Sequence, residues 1–158
     1  MSACLAQHWP QASELLQIAV RAQHIKRWHL KRTDFATGKA GYYQWRIALG
    51  KFHAELTSTL MLEQGYSQAQ ATQTAAIIRK EQLKTNPDSQ TLEDVACLVF
   101  LSHYFDDFAR KYLAQDNEAK VIRIVQLTWK KMSEEAHTIA LKLSLPEHLA
   151  ALVSKALA

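Results

Sequence analysis

Glycine, proline and cysteine are all scarce in this sequence of 158 residues, which contains 4, 3 and 2 of them. Two cysteines exclude a disulfide-rich scaffold and a zinc site built from cysteine pairs, and they favour a reduced, cytoplasmic compartment. No run of about 18 apolar residues is present, so we expect no membrane-spanning helix. The N-terminus lacks the basic segment and apolar core of a secretory signal.

Several well-known catalytic motifs are missing as well. The sequence has no glycine-rich phosphate loop, no G-x-S-x-G turn and no H-E-x-x-H helix. It also lacks internal repeats and the alternating pattern of β-strands. The apolar residues instead follow a helical period, over a length that suits one domain. We therefore predict an all-α fold in which residues 1–158 form a single compact bundle of about seven helices.

The most apolar segment of the chain is 95–101, seven apolar residues without interruption. Neither glycine nor proline occurs from 88 to 145, which favours a long buried helix over a buried strand. We predict a central helix over about 92–113, with Thr91 as its N-cap. Asp94 lies at the head of its apolar face, where a carboxylate needs a partner. It is either a capping residue at the rim of the core or a ligand of a metal or cation.

Other segments of the chain also have helical periodicity. A shorter helix is expected to begin at Ser133, and 31–41 reads as an ordered loop. The remaining helices are predicted over 13–30, 42–64, 67–83, 118–132 and 146–157.

The positive charge of the chain is confined to one segment. Residues 21–39 contain six basic side chains and one acidic side chain, a net charge of +5, whereas the whole chain carries +4. Such a cluster is either a solvated face or a surface that binds phosphate or nucleic acid.

Four residues with metal-binding side chains fall on otherwise apolar helical faces: His24, His53, Glu81 and Asp94. Imidazole nitrogens and carboxylate oxygens suit Mn, Fe, Ni or Zn. Each residue alone is explained by a hydrogen bond in the core. As a set on successive helices, they indicate a site for a divalent metal.

Cationic and aromatic residues lie close in sequence to these four. They are the candidate substrate-binding residues Arg21, Arg27, Trp28, Trp45, Arg46, Lys80 and Lys84. Arginine and lysine bind phosphate, and the tryptophans could stack on a nucleobase. The competing interpretation puts the tryptophans in the core and the cations in water.

Five blocks of sequence resemble a known family: RAQHIKRW, AGYYQWRIALGKFHAE, IIRKEQLK, QTLEDVACLVFLSHYFDDFARKY and LTWKKMSEEAH. They are similar to a family known only as a domain of unknown function, number 4202, over nearly the whole chain. This family resembles, more distantly, the all-α HD-domain metal-dependent phosphohydrolases. Their metal motif is a histidine, then a His-Asp pair, then a later aspartate.

The resemblance implies that His24, His53 and Asp94 hold the metal. The aspartate of the pair is replaced by Ala54, so the resemblance implies a weaker site with three ligands unless Glu81 substitutes. The leading hypothesis is an HD-like, divalent-metal-dependent phosphohydrolase that acts on a small phosphorylated molecule such as a nucleotide. Glu81 would be its fourth ligand or its catalytic base.

The alternative is a non-catalytic binding module that has kept the fold but lost hydrolysis. It would hold RNA or a phosphorylated ligand through the basic segment 21–39 and its aromatic residues. A metal bound to the purified protein would favour the first hypothesis over the second.

Overall fold

The computed structural model covers residues 1–158 and contains helices but no strands. A π-helical segment, Phe100–Tyr104, joins the α-helix that ends at Val99 to the α-helix that begins at Phe105 without a break. The α-helices are α1 (Ser2–His8), α2 (Glu14–Ala22), α3 (Gly38–Glu63), α4 (Gln68–Ile78), α5 (Pro87–Val99), α6 (Phe105–Leu113), α7 (Glu118–Lys131), α8 (Glu134–Ala140) and α9 (Glu147–Leu157). The predicted all-α fold class is confirmed. None of these helices has the length and apolar character needed to cross a membrane.

The chain divides into two compact units, Met1–Leu92 and Glu93–Ala158. In the first unit, α2 packs against α1, α3 and α4, and α3 packs along α4. In the second unit, α6, α7 and α9 pack against one another. The organisation of the whole chain as one domain stays a prediction.

Short polar side chains fix the starts of α2, α4, α7 and α8. The Ser13 hydroxyl accepts a hydrogen bond from the Leu16 backbone N–H at 3.2 Å. The side chains of Ser67, Asn117 and Ser133 make the same kind of bond with the residue three positions later. Each bond satisfies an N–H that has no partner within its own helix, so these predicted starts are confirmed.

Two predicted helices are too long at their C-terminal ends. The first was expected to reach residue 30 but ends at Ala22, and the third was expected to reach residue 83 but ends at Ile78. Left-handed backbone follows in both places, with φ values of 46° at Lys26, 56° at Lys80 and 52° at Gln82. A right-handed helix cannot continue through a residue in this conformation.

The start of the central helix was also predicted wrongly. It begins at Pro87 rather than near residue 92, because the Asn86 side chain accepts hydrogen bonds from the backbone N–H groups of Asp88 and Ser89. Thr91 therefore lies within the helix, where its hydroxyl donates to the Pro87 carbonyl. The expected cap at Thr91 is wrong.

The basic loop before α3 is held by one of its own cations. The Arg32 guanidinium donates to the carbonyl oxygens of Phe35, Ala36 and Gly38 at 3.1, 2.9 and 3.3 Å. Gly41 then passes so close to Ala36 that a Cβ atom on it would overlap the Ala36 carbonyl. The loop is therefore fixed against the first turns of α3, which begins at Gly38, within the segment predicted as loop.

Candidate functional site

A pocket of about 400 Å³ lies within the first unit. Its wall is built from the chain just after α2, one face of α3 and the chain just after α4. The volume is in the range of pockets that hold small molecules.

One face of α3 forms a side of this pocket. Tyr43, Arg46, Ile47, Gly50 and His53 all line it, and they recur at intervals of three or four residues, as one face of a helix requires. A Cβ atom on Gly50 would meet nothing within 4 Å, so this glycine leaves space in the pocket rather than permitting close packing.

Two buried polar side chains of the pocket lack partners. His53 is only 2% exposed, and neither of its ring nitrogens makes a well-formed hydrogen bond. The side-chain nitrogen of the buried Gln23 is unpartnered as well. Buried polar groups are normally satisfied, so these donors are suited to a ligand that enters the pocket.

The two histidines of the pocket are adjacent and uncharged. The rings of His24 and His53 meet edge to face, with centroids 6.2 Å apart. Partial burial of the ring, followed by the charges of Arg27 and Arg46, lowers the pKa of His24 to about 4. Burial also lowers the pKa of His53, although the nearby backbone of Ile25 opposes the shift. Both imidazoles are therefore neutral at pH 7.

The pocket is strongly cationic. Its wall contains five basic residues: Arg27, Arg46, Lys51, Arg79 and Lys80. Glu81 is the one carboxylate in the wall, and it accepts a bond from Arg79 Nε at 2.7 Å. Burial and the nearby charge of Arg46 lower the pKa of Arg27, which indicates that these two guanidinium groups repel each other. An anion between them would relieve that repulsion.

Strained backbone borders the pocket on two sides. Lys80 is in its wall, and Lys26 directly precedes Arg27, which is also in the wall. Lys26 and Lys80 both have a positive φ, which residues other than glycine rarely adopt. Such conformations cost about 1–3 kcal/mol each and occur often at ligand-binding sites.

The structure brings together six of the residues singled out in the sequence. His24, His53, Glu81, Arg27, Arg46 and Lys80 line this one pocket.

Four of the other candidates lie elsewhere. Arg21 lines a separate groove beside α1, Lys84 is exposed outside the pocket, and Trp28 is exposed at 76%. The Trp45 indole N–H donates to the Leu30 carbonyl at 3.0 Å. The guanidinium of Arg27 lies 5.2 Å from the centre of the Trp45 ring. Trp45 therefore supports the loop and Arg27 rather than lining the pocket.

Asp94 belongs to the second unit and is buried rather than at a rim, at 2% exposure. Its two oxygens accept hydrogen bonds from the backbone N–H and the hydroxyl of Ser133, at 2.8 and 2.6 Å. The carboxylate thus holds the residue that caps α8. No group of three or more His, Cys, Asp or Glu side chains is placed to hold a metal ion. The predicted metal ligation stays a prediction.

Sequence reasoning missed several residues of the pocket: Gln23, Tyr43, Ile47, Lys51 and Arg79. Gln23 carried a usable signal, because it follows the buried Ala19 and Val20 by four and three residues on the same face of α2. Tyr43 and Ile47 precede Gly50 by seven and three residues, the spacing of one helical face, which would have placed them beside the space that this glycine leaves.

The chain belongs to the family described as Domain of unknown function (DUF4202), which matches residues 1–153. No curated protein and no solved structure shows significant similarity to the chain.

Proposed function

We propose that this member of the family binds a small phosphorylated molecule, with the phosphate held in the pocket after α2. The observation that carries the proposal is the combination of five basic residues with the unpartnered side-chain N–H group of Gln23 and the buried imidazole of His53. Arginine and lysine supply charge to phosphate oxygens, and neutral N–H groups supply directed hydrogen bonds. Neutral imidazoles suit such a site, because each can donate a hydrogen bond without adding charge.

Titration with ribose 5-phosphate and inorganic phosphate tests this proposal. We expect binding by calorimetry and a rise in melting temperature, both weaker at high salt. Arg46→Gln should lower the affinity at least tenfold, because it removes a charge from the wall. Arg123→Gln is the matched control, since Arg123 is an exposed residue of α7 outside the pocket and the change in net charge is the same. Equal losses in both variants would mean that only net charge matters, and the pocket would not be the site.

Metal-dependent phosphate-ester hydrolysis in an HD-like domain is the second candidate, and the adjacent neutral imidazoles of His24 and His53 favour it. Metal ligation requires deprotonated imidazole, so this pair fits a divalent Mn, Fe, Ni or Zn ion. The carboxylates fit less well, because Glu81 is paired with Arg79 and Asp94 holds Ser133. Such an ion, when bound, would polarise a phosphoryl oxygen and activate water.

Binding of RNA by the segment 21–39 is supported less well. One of its six cations, Arg32, is hydrogen-bonded to three backbone carbonyls, and Arg27 lies over Trp45 and lines the pocket.

We also propose a cytoplasmic location, which suits two free cysteines and a phosphorylated metabolite.

A further inference from the structure

The pocket has an apolar wall beside its cations. Tyr43 and Ile47 both line it and remain 54% and 61% exposed. They lie one helical turn apart on α3, so their side chains form one patch. Two large apolar side chains exposed side by side in a pocket suit a ligand that has an apolar face as well as a charged group.

The neighbours of Tyr43 help to fix its ring. The ring of Tyr42 approaches it edge to face, with centroids 5.9 Å apart. The Lys39 ammonium lies 5.9 Å from the centre of the ring. More than half of Tyr43 stays exposed with these neighbours in place. An ordered aromatic ring loses less conformational entropy when a planar group stacks on it.

The chemistry of the wall changes along α3 in a fixed order. Tyr43 and Ile47 come first, Arg46 lies beside them, the space at Gly50 follows, and His53 lies beyond it. From Tyr43 to Gly50 the helix rises about 10 Å. A ligand that has both an apolar group and a phosphate would match the two kinds of side chain on this face.

We propose that the phosphorylated ligand is a nucleoside 5′-phosphate whose base stacks on Tyr43 and packs against Ile47. This inference rests on the phosphate site proposed above. The sequence assigns base stacking to Trp28 and Trp45, but neither lines the pocket, and the indole N–H of Trp45 is bonded to the Leu30 carbonyl. Tyr43 takes that role here. Stacking on an aromatic ring tolerates any base, so the proposal makes no choice between purine and pyrimidine.

Calorimetric titration with AMP and with ribose 5-phosphate tests the inference, because the two ligands share the sugar phosphate and differ in the base. We expect AMP to bind the parent protein about tenfold more tightly than ribose 5-phosphate does. Tyr43→Ala should abolish this difference and leave the affinity for ribose 5-phosphate unchanged within about twofold. Tyr43→Phe keeps the ring and should keep the preference. Tyr104→Ala, at another exposed tyrosine outside the pocket, should resemble the parent.

The outcomes separate the two proposals. Equal affinities for AMP and ribose 5-phosphate, or a preference that survives Tyr43→Ala, would overturn the nucleotide inference and leave the phosphate site standing. Failure of both ligands to bind would overturn the phosphate site and the inference together. A six-nucleotide RNA that binds at least tenfold more tightly than AMP would overturn the inference in favour of a nucleic acid.

Discussion

His24 and His53 contact each other edge to face at 6.2 Å, although one lies just beyond α2 and the other lies near the middle of α3. The contact joins a residue at the pocket wall to one that is almost completely buried. Both rings are neutral at pH 7, because burial and neighbouring cations lower their pKa values. Because arginine and lysine surround this uncharged pair, we expect the stability of the protein to depend on pH and on bound anions.

Acid should destabilise the protein through His24. Its pKa is about 4 in the folded state, against 6.5 for an unperturbed histidine. Between these values the unfolded chain binds a proton that the folded chain does not, so the free energy of unfolding falls as the pH falls from about 6.5 to about 4. His24→Gln removes the effect. We expect this variant to lose less stability than the parent between pH 7 and pH 5, as measured by urea denaturation.

His103→Gln is the control for this experiment, since His103 is exposed in the π-helical segment and outside the pocket. It should keep the pH dependence of the parent. Sulfate should act in the opposite direction to acid, because a bound dianion favours the charged imidazole. Its stabilising effect should therefore be larger at pH 5.5 than at pH 7.5. A His24→Gln variant with the pH dependence of the parent would contradict the prediction.

The glycines of α3 should respond in opposite ways to the same substitution. Gly41→Ala puts a Cβ atom into the Ala36 carbonyl, so it should cost about 1–3 kcal/mol of stability. Gly50→Ala meets no atom within 4 Å and should stabilise the helix by about 0.5–1 kcal/mol. Chemical denaturation of the two variants checks this. Similar changes in both would mean that the loop moves away from Gly41 at little cost.

Gly50→Leu extends this test to the ligand. Its side chain would occupy the space that the glycine leaves in the pocket, so we expect ribose 5-phosphate to bind at least tenfold less tightly. Circular dichroism should show that the helices are retained. A variant that is folded and binds as the parent does would exclude this part of the pocket as the ligand site.

Asp94 should stabilise the second unit through Ser133. Asp94→Ala leaves the Ser133 N–H without its acceptor and should cost about 1–3 kcal/mol. Asp94→Asn should cost less, because an amide oxygen can still accept that bond. Ser133→Ala combined with Asp94→Ala should cost less than the sum of the single changes, since the two residues share one interaction. Strictly additive losses in urea denaturation would contradict a direct partnership.

Local features of this fold could be predicted, whereas those that depend on unusual backbone could not. The helix starts at Ser13 and Ser67 rest on a bond between a side chain and an N–H three residues away, so the sequence contains both partners. The helix end at Ile78 is followed two residues later by the left-handed Lys80, and lysine has no preference for that conformation that a sequence could display.

The site was predictable to the same extent. His24 and His53 could be found because the sequence pattern predicts each as a polar residue on an apolar helical face, and both do line the pocket, although His24 lies just beyond α2. The partner of Asp94 could not be found, since Ser133 follows it by 39 residues and meets it only through packing of the second unit. A carboxylate on an apolar face needs some partner, but its position in the sequence does not identify which one.

Divalent metals should distinguish hydrolysis from binding alone. If His24 and His53 hold an ion, Mn, Fe, Ni or Zn should raise the melting temperature of the parent, and His24→Ala or His53→Ala should each remove most of that rise. The double change should lose little more than either single change, because ligands that act as a unit are not additive. His148→Ala is the control, since His148 pairs with Asp106 outside the pocket.

Asp94→Ala tests whether the predicted ligand set has a third member. We expect this variant to be less stable in the absence of metal but to show the same rise in melting temperature when metal is added. The reason is that the Asp94 carboxylate of the parent is hydrogen-bonded to Ser133. If this variant no longer shows the rise in melting temperature, Asp94 is a metal ligand, as the HD-domain resemblance implies. If no divalent metal changes the melting temperature of the parent, the hydrolase candidate fails. Phosphate binding through Arg46 and its neighbours would be unaffected by that result, since it depends on charge and on the N–H donors of the pocket alone.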